Sequence, residues 1–181
     1  TKVLTTNLFI TGDRPDMILV GTKKVKQEID MKELKKLEQN GVERMGAVRT
    51  QIKLTNAIDE ALVSRGLLAP RLLRESEIEG LVDTGSVYLV ISAEMVQQLG
   101  LRIIGQQVVK YADGRRETVG VTEAILVEIE GRRTTEDALV TGDEVLIGQV
   151  VLEKLDFLVD CKNQRLIPNP ANPEYPVTYI K

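Results

Sequence analysis

Between Gln106 and Gly131 the chain reads QQVVKYADGRRETVGVTEAILVEIEG, with Asp113-Gly114 between two strand-like runs and a second turn at Gly131. Asp-Gly flanked by such runs is the strongest short signal for a tight hairpin, because it supplies the positive-φ residues that hairpin turns need. This commits the middle of the chain to antiparallel strands, and short strands continue on both sides. In AVRTQIKL the apolar positions alternate through Val48, Ile52 and Leu54, as in a half-buried strand. SEIEGLVD is a strand that delivers Asp83 at its end, EDALV follows the turn at Gly131, and EVLIG is an apolar run closed by Gly148. DFLVDCKNQRLIP reads as a hairpin turning near Lys162-Asn163. The helices are brief. AIDEALVSRG ends on Gly66, SAEMVQQLG starts on the N-cap Ser92 and stops at Gly100, and QVVLEKL is long enough for about two turns. Many closely spaced strands with few helices predict a mostly β, closed domain of the all-β class.

That pattern begins at Met45, and residues 1–44 read differently. Val3 to Ile10 and Met17 to Val20 are candidate strands around Gly12-Asp13-Arg14-Pro15-Asp16. A short helix follows in DMKELKKLEQNG, with Asp30 and Glu33 at capping-box spacing. So few residues make a poor independent core, so the expected organisation is an N-terminal extension (1–44), a main domain (45–170) and a C-terminal tail (171–181). Pro168, Pro170, Pro173 and Pro176 in and just before the tail disfavour central strand pairing there.

Absences narrow the chemistry. The chain has no histidine, which removes Ser-His-Asp triads, Cys-His pairs and histidine-based zinc sites together. Cys161 is the single cysteine; it forms no internal disulfide, and a reducing, cytoplasmic setting is the default. None of the four serines has an S-x-x-K spacing, and no glycine-rich phosphate cradle occurs. A net charge of −3 with no tryptophan and two phenylalanines gives neither the field nor the stacking platforms of a nucleic-acid binder. No apolar run is long enough for a membrane span. Acid-base work falls to carboxylates, lysines or tyrosines.

The carboxylate that stands out is Asp83, in Leu81-Val82-Asp83-Thr84-Gly85-Ser86. Three further features follow it in order. Ala112-Asp113-Gly114 forms a hairpin tip, Leu146-Ile147-Gly148 comes about sixty residues after the triplet, and a helix and strand region directly follows that glycine. With these four features, residues from Met45 to about Pro170 resemble the retropepsin-like aspartyl protease family, the half-size proteases of retroviral type and their prokaryotic relatives.

The resemblance implies a retropepsin-like closed β-barrel and an aspartic endopeptidase that needs no metal or cofactor. Asp83 would be catalytic, one of two carboxylates that share a proton and activate a water for attack on a peptide carbonyl. Thr84, Gly85 and Ser86 would support the active-site loop. Thr84 would hydrogen-bond across the pair, Gly85 would let substrate approach, and the Ser86 hydroxyl would donate to the ionised carboxylates. Tyr111, Ala112, Asp113 and Gly114 would form a substrate-binding flap, and Leu146, Ile147 and Gly148 the wall of the site. Tyr111 reads equally well as a cross-strand packing residue. Arg115 and Arg116 read as solvated hairpin charges or as a preference for acidic substrates.

The chain holds one D-T-G, so the second carboxylate is expected from a symmetric homodimer acting on a peptide or protein substrate. An end segment would reinforce the dimer or strap the cleft. One departure stands out. Where retroviral members pair an arginine with an acid two residues past the triplet, this chain has Gln149 and Val87. Losing both partners leaves no orphan charge, but it leaves open a catalytically inactive dimerisation or peptide-binding module on the same fold.

Overall fold

A computed structural model describes residues 47–178, all within one compact unit, Gly46–Lys181. The expected hairpin and helix of residues 1–44 lie outside the described residues. The organising strand is β1 (Val48–Asn56). It pairs antiparallel along nearly its whole length with β2 (Glu75–Val82) and, on its other edge, with β6 (Ile125–Ile129). Its inward residues Ile52 and Leu54 are buried. Burying such a side chain stabilises the fold by about 1.5–3 kcal/mol.

The remaining strands are β3 (Leu89–Ile91), β4 (Ile103–Lys110), β5 (Arg116–Thr122), β7 (Arg132–Glu136), β8 (Ala138–Val140) and β9 (Leu146–Ile147). They complete one nine-stranded sheet in the order β4-β5-β8-β3-β9-β2-β1-β6-β7. The described chain is therefore mostly β, as expected, but the ladder is linear: β4 and β7 end it without pairing to each other. The predicted barrel closure is absent from these pairings for a local reason. β5 joins β8 only at Gly120 and Val121, so the rest of the β4–β5 hairpin leaves the sheet as a two-stranded ribbon.

The centre of the sheet is covered on both faces. Leu89 and Ile91 enter the main core while Val90 enters a second cluster with Val119 and Leu139. β9 divides in the same way, with Ile147 in the main core and Leu146 against the second cluster. Double coverage is why these strands appear in the sequence as unbroken apolar runs rather than alternating ones.

Three short helices fill the connections: α1 (Ala57–Ser64), α2 (Ala93–Leu99) and α3 (Gln149–Leu155). Ser92 accepts from Met95 N at the start of α2, and Gly100 ends it at φ 58°. Asn56 caps α1 by accepting from Ile58 N and Asp59 N, while its Nδ2 donates to Leu99 O at 3.0 Å. Asp59 is buried and takes two bonds from the Arg74 guanidinium, at 2.6 and 2.7 Å; Arg74 also donates to Gly100 O. One ion pair thus fastens α1, the entry to β2 and the end of α2.

The hydrogen bonds from Arg74 hold the Asp59 carboxyl below the ordinary aspartate range. A depressed folded-state pKa contributes stability that is present above the unfolded value and lost as pH falls through the folded one. Arg74→Ala strands a buried carboxylate and is expected to destabilise the protein by about 3 kcal/mol at neutral pH. In thermal melts across an acid series its deficit should shrink below the ordinary aspartate pKa, as Asp59 protonates. A deficit that stays constant with pH contradicts this assignment.

After α3, β10 (Phe157–Asp160) and β11 (Arg165–Pro168) form a separate hairpin, with Cys161 exposed in its turn. The tail beyond it is held at the C-terminal end of α3. Asp156, in the left-handed region, accepts from Asn169 Nδ2, Asn172 Nδ2 and Val177 N. Buried Arg132 donates to Leu155 O, Asp156 O and Asn172 O at 2.6–2.9 Å.

Candidate active site

Asp83 is placed by a crossing of strands. β2 and β3 are consecutive in sequence, yet β9 lies between them, parallel to β2 through Leu81↔Leu146 and Val82↔Ile147 and antiparallel to β3 at Val90↔Leu146. Asp83 N donates to Ile147 O at 3.1 Å, which continues the β2–β9 ladder into the loop. The loop then turns on itself. Gly85 N donates to Asp83 Oδ1 at 2.9 Å and Ser86 N to Asp83 O at 3.1 Å. Asp83 Oδ2 has no hydrogen bond among the described residues, and Asp83 is half-buried. A Cβ on Gly85 would sit 3.2 Å from Asp83 Oδ1, so glycine there suits the tight turn.

The far side of the loop is tied to α3. Gln149 N donates to Ser86 O at 2.8 Å and Val150 N to Val87 O at 3.1 Å. These are first-turn amides of the helix, which have no partner within it. The segments that carry Gln149 and Val87, where no charged pair is present, are therefore joined by main-chain bonds of Gln149 to Ser86 and of Val150 to Val87. Between them, Gly148 lies so close to Tyr88 that a Cβ would stand 2.2 Å from the Tyr88 carbonyl oxygen.

Asp83, Thr84, Gly85, Ser86, Leu146, Ile147 and Gly148 thus come together, from segments more than sixty residues apart. Thr84 is exposed and makes no side-chain hydrogen bond among the described residues. The Ser86 hydroxyl donates to Tyr88 O at 3.1 Å rather than toward Asp83, so within one chain its proton is committed to the loop.

The hairpin expected at Ala112-Asp113-Gly114 forms, with Gly114 at φ 85° and Arg115 N donating to Asp113 Oδ1. Its tip is exposed, and Tyr111, which opens the turn, reaches inward. The Tyr111 hydroxyl donates to Glu117 Oε2 at 2.8 Å and is 3.1 Å from Thr141 Oγ1, and Arg115 stacks over its ring at 4.2 Å. Both readings of Tyr111 therefore have support: it packs across the hairpin, and it lines a cleft. That cleft, of about 370 Å³, lies between the turn end of the hairpin and the Thr141–Glu144 loop that leads into β9, with Val90 and Leu146 as apolar lining. Sequence reasoning missed Thr141–Glu144; the only available signal was their position just before Leu146-Ile147-Gly148.

A strand-end carboxylate with one oxygen bonded to its own loop and the other free can hold or pass a proton. Residues 72–151 match the family model described as aspartyl protease. The matched stretch holds Asp83 and the Leu146-Ile147-Gly148 element. Among solved structures, EIAV protease complexed with the inhibitor HBY-793 is similar at 15% identity and a TM-score of 0.45, covering 64% of this chain and 91% of that one. No curated protein matches the chain. Among the described residues, no cluster of metal-ligating side chains occurs and no helix is long and apolar enough to cross a membrane.

Proposed function

We propose that the chain is an aspartic endopeptidase that acts as a symmetric homodimer, with Asp83 of each copy forming the catalytic pair. The observation that carries this reading is the pose of Asp83: anchored through its main chain to β9, turned by Gly85, and left with a carboxylate oxygen that has no hydrogen bond among the described residues. Brought together across a two-fold axis, two such carboxylates cannot both ionise and share one proton. The ionised one accepts a proton from water as that water attacks the scissile carbonyl, and the protonated one donates to the carbonyl oxygen. The titration then belongs to the pair. Thr84, exposed and without a side-chain hydrogen bond among the described residues, would bond across the pair. The hairpin from β4 to β5 closes over the substrate as the flap, and the cleft beside its turn receives a substrate side chain.

The second reading, a non-catalytic peptide-binding module, draws on the missing charged pair at Val87 and Gln149. The two helix amides bonded to Ser86 O and Val87 O weigh against it, because they hold the triplet loop without that pair. Asp83→Asn decides between them. Peptide hydrolysis is expected to fall by at least about a thousand-fold, the scale of a lost general acid-base group, with dimer mass unchanged. Equal hydrolysis by the two proteins contradicts the catalytic assignment.

A further inference from the structure

The cleft beneath the flap turn has a polarity of its own. Leu146 and Val90 give it an apolar side, and Tyr111 presents a ring that already carries the chain's own Arg115 guanidinium at 4.2 Å. Its charged lining is one cation, Arg115, against three carboxylates: Glu117, Asp143 and Glu144. Two of the three are occupied. Glu144 pairs with Arg49 at 3.0 Å, and Glu117 accepts from the Tyr111 hydroxyl and lies 3.9 Å from Arg115. Asp143 is exposed at the loop before β9 and has no ion pair or side-chain hydrogen bond among the described residues.

We infer that this cleft selects a basic side chain, lysine or arginine, in the bound peptide. An aliphatic stem lies along Val90 and Leu146, and its cationic head meets Asp143, which has no ion pair among the described residues. An acidic side chain faces a net negative lining, because Arg115 is already balanced by Asp113 and Glu117. A neutral chain such as norleucine gains the apolar contact and loses the charge pairing. Asp143 is then a specificity-determining residue, separate from the chemistry at Asp83. The inference rests on the peptide cleft proposed above.

The test uses the full chain and short peptides identical except for one position, filled in turn by Lys, norleucine or Glu and scanned along the peptide. Affinities are measured on the Asp83→Asn protein and kcat/KM on the wild type. At one position Lys is expected to bind about five-fold tighter than norleucine, the size of a partly exposed charge pair, with Glu weakest. The preference should shrink at high salt. It should vanish in Asp143→Asn and return in Asp143→Glu. Equal affinity for Lys and norleucine at every position, a preference that survives Asp143→Asn, or no peptide binding at all overturns the inference. Selective binding without hydrolysis by the wild type supports the inference and counts against the peptidase reading alone.

Discussion

Wild-type protein mixed with a roughly tenfold excess of Asp83→Asn protein is expected to lose about nine-tenths of its hydrolysis per wild-type subunit, since a catalytic pair shared across a two-fold axis needs an aspartate from each copy. At random exchange, about one wild-type subunit in eleven finds a wild-type partner, and a mixed dimer holds one carboxylate and one amide. The amide cannot share the proton, so the mixed dimer lacks the acid-base couple. The substitution itself is mild in structure. Asparagine Oδ1 still accepts from Gly85 N, and the Asp83 main-chain bond to Ile147 O is untouched. Loss of activity on mixing therefore reads out partnership rather than misfolding. Hydrolysis per wild-type subunit that is unchanged by the excess, after time for exchange, would mean that each chain works alone, and the dimeric mechanism would fall. Residues Val87 and Tyr88, exposed beside the triplet, are the apolar surface nearest to Asp83 in sequence.

What the sequence made legible was local chemistry. Asp113-Gly114 announced its hairpin because few residues tolerate such a turn, and Ser92 and Gly100 bounded α2 because their caps are short-range. Asp83 was legible as a strand end for the same reason. The crossing that makes it a site was not. β9 has two residues and β3 has three, too short for any periodicity, and their order in the sheet depends on pairings more than fifty residues apart. The same distance hid the cleft: Tyr111 and Thr141 meet only after β8 has docked against β3 and β5. Asp156 and Arg132 were invisible as tail anchors, because what they bind is mostly main chain and asparagine, which carry no pattern. Barrel closure was expected from strand number and from the resemblance, and the pairings found here run in an open order from β4 to β7. Whether the outermost strands meet depends on how far each hairpin stays in the sheet, and β5 leaves it after two pairs.

The crossing also sets where the fold is least forgiving. Gly148→Ala is expected to be the most damaging single-methyl change near the site. Gly148 has φ −78° and ψ 172°, a conformation alanine adopts without strain, so the cost is steric and not conformational. The added methyl would lie 2.2 Å from the Tyr88 carbonyl oxygen, 2.7 Å from its carbon and 2.8 Å from its nitrogen. All three are main-chain atoms, so no rotamer change relieves the clash. Relief requires pulling the β9–α3 junction away from the segment that runs into β3. That motion stretches the bonds from Gln149 N to Ser86 O and from Val150 N to Val87 O, which hold the triplet loop from the helix side. Overpacking against a rigid wall costs about 3 kcal/mol or more, which in a unit of this size lowers the melting temperature by about 10 °C. Hydrolysis should fall by more than the loss of folded protein explains, because Asp83 moves with its loop. Gly80→Ala is the internal comparison. There the new methyl meets Ile147 Cδ1 at 2.9 Å, the far end of a side chain that can rotate, and a smaller loss is expected. If Gly148→Ala melts within about 2 °C of wild type and hydrolyses peptides normally, then the contact between Gly148 and Tyr88 does not hold the site, and the anchoring of Asp83 must lie elsewhere.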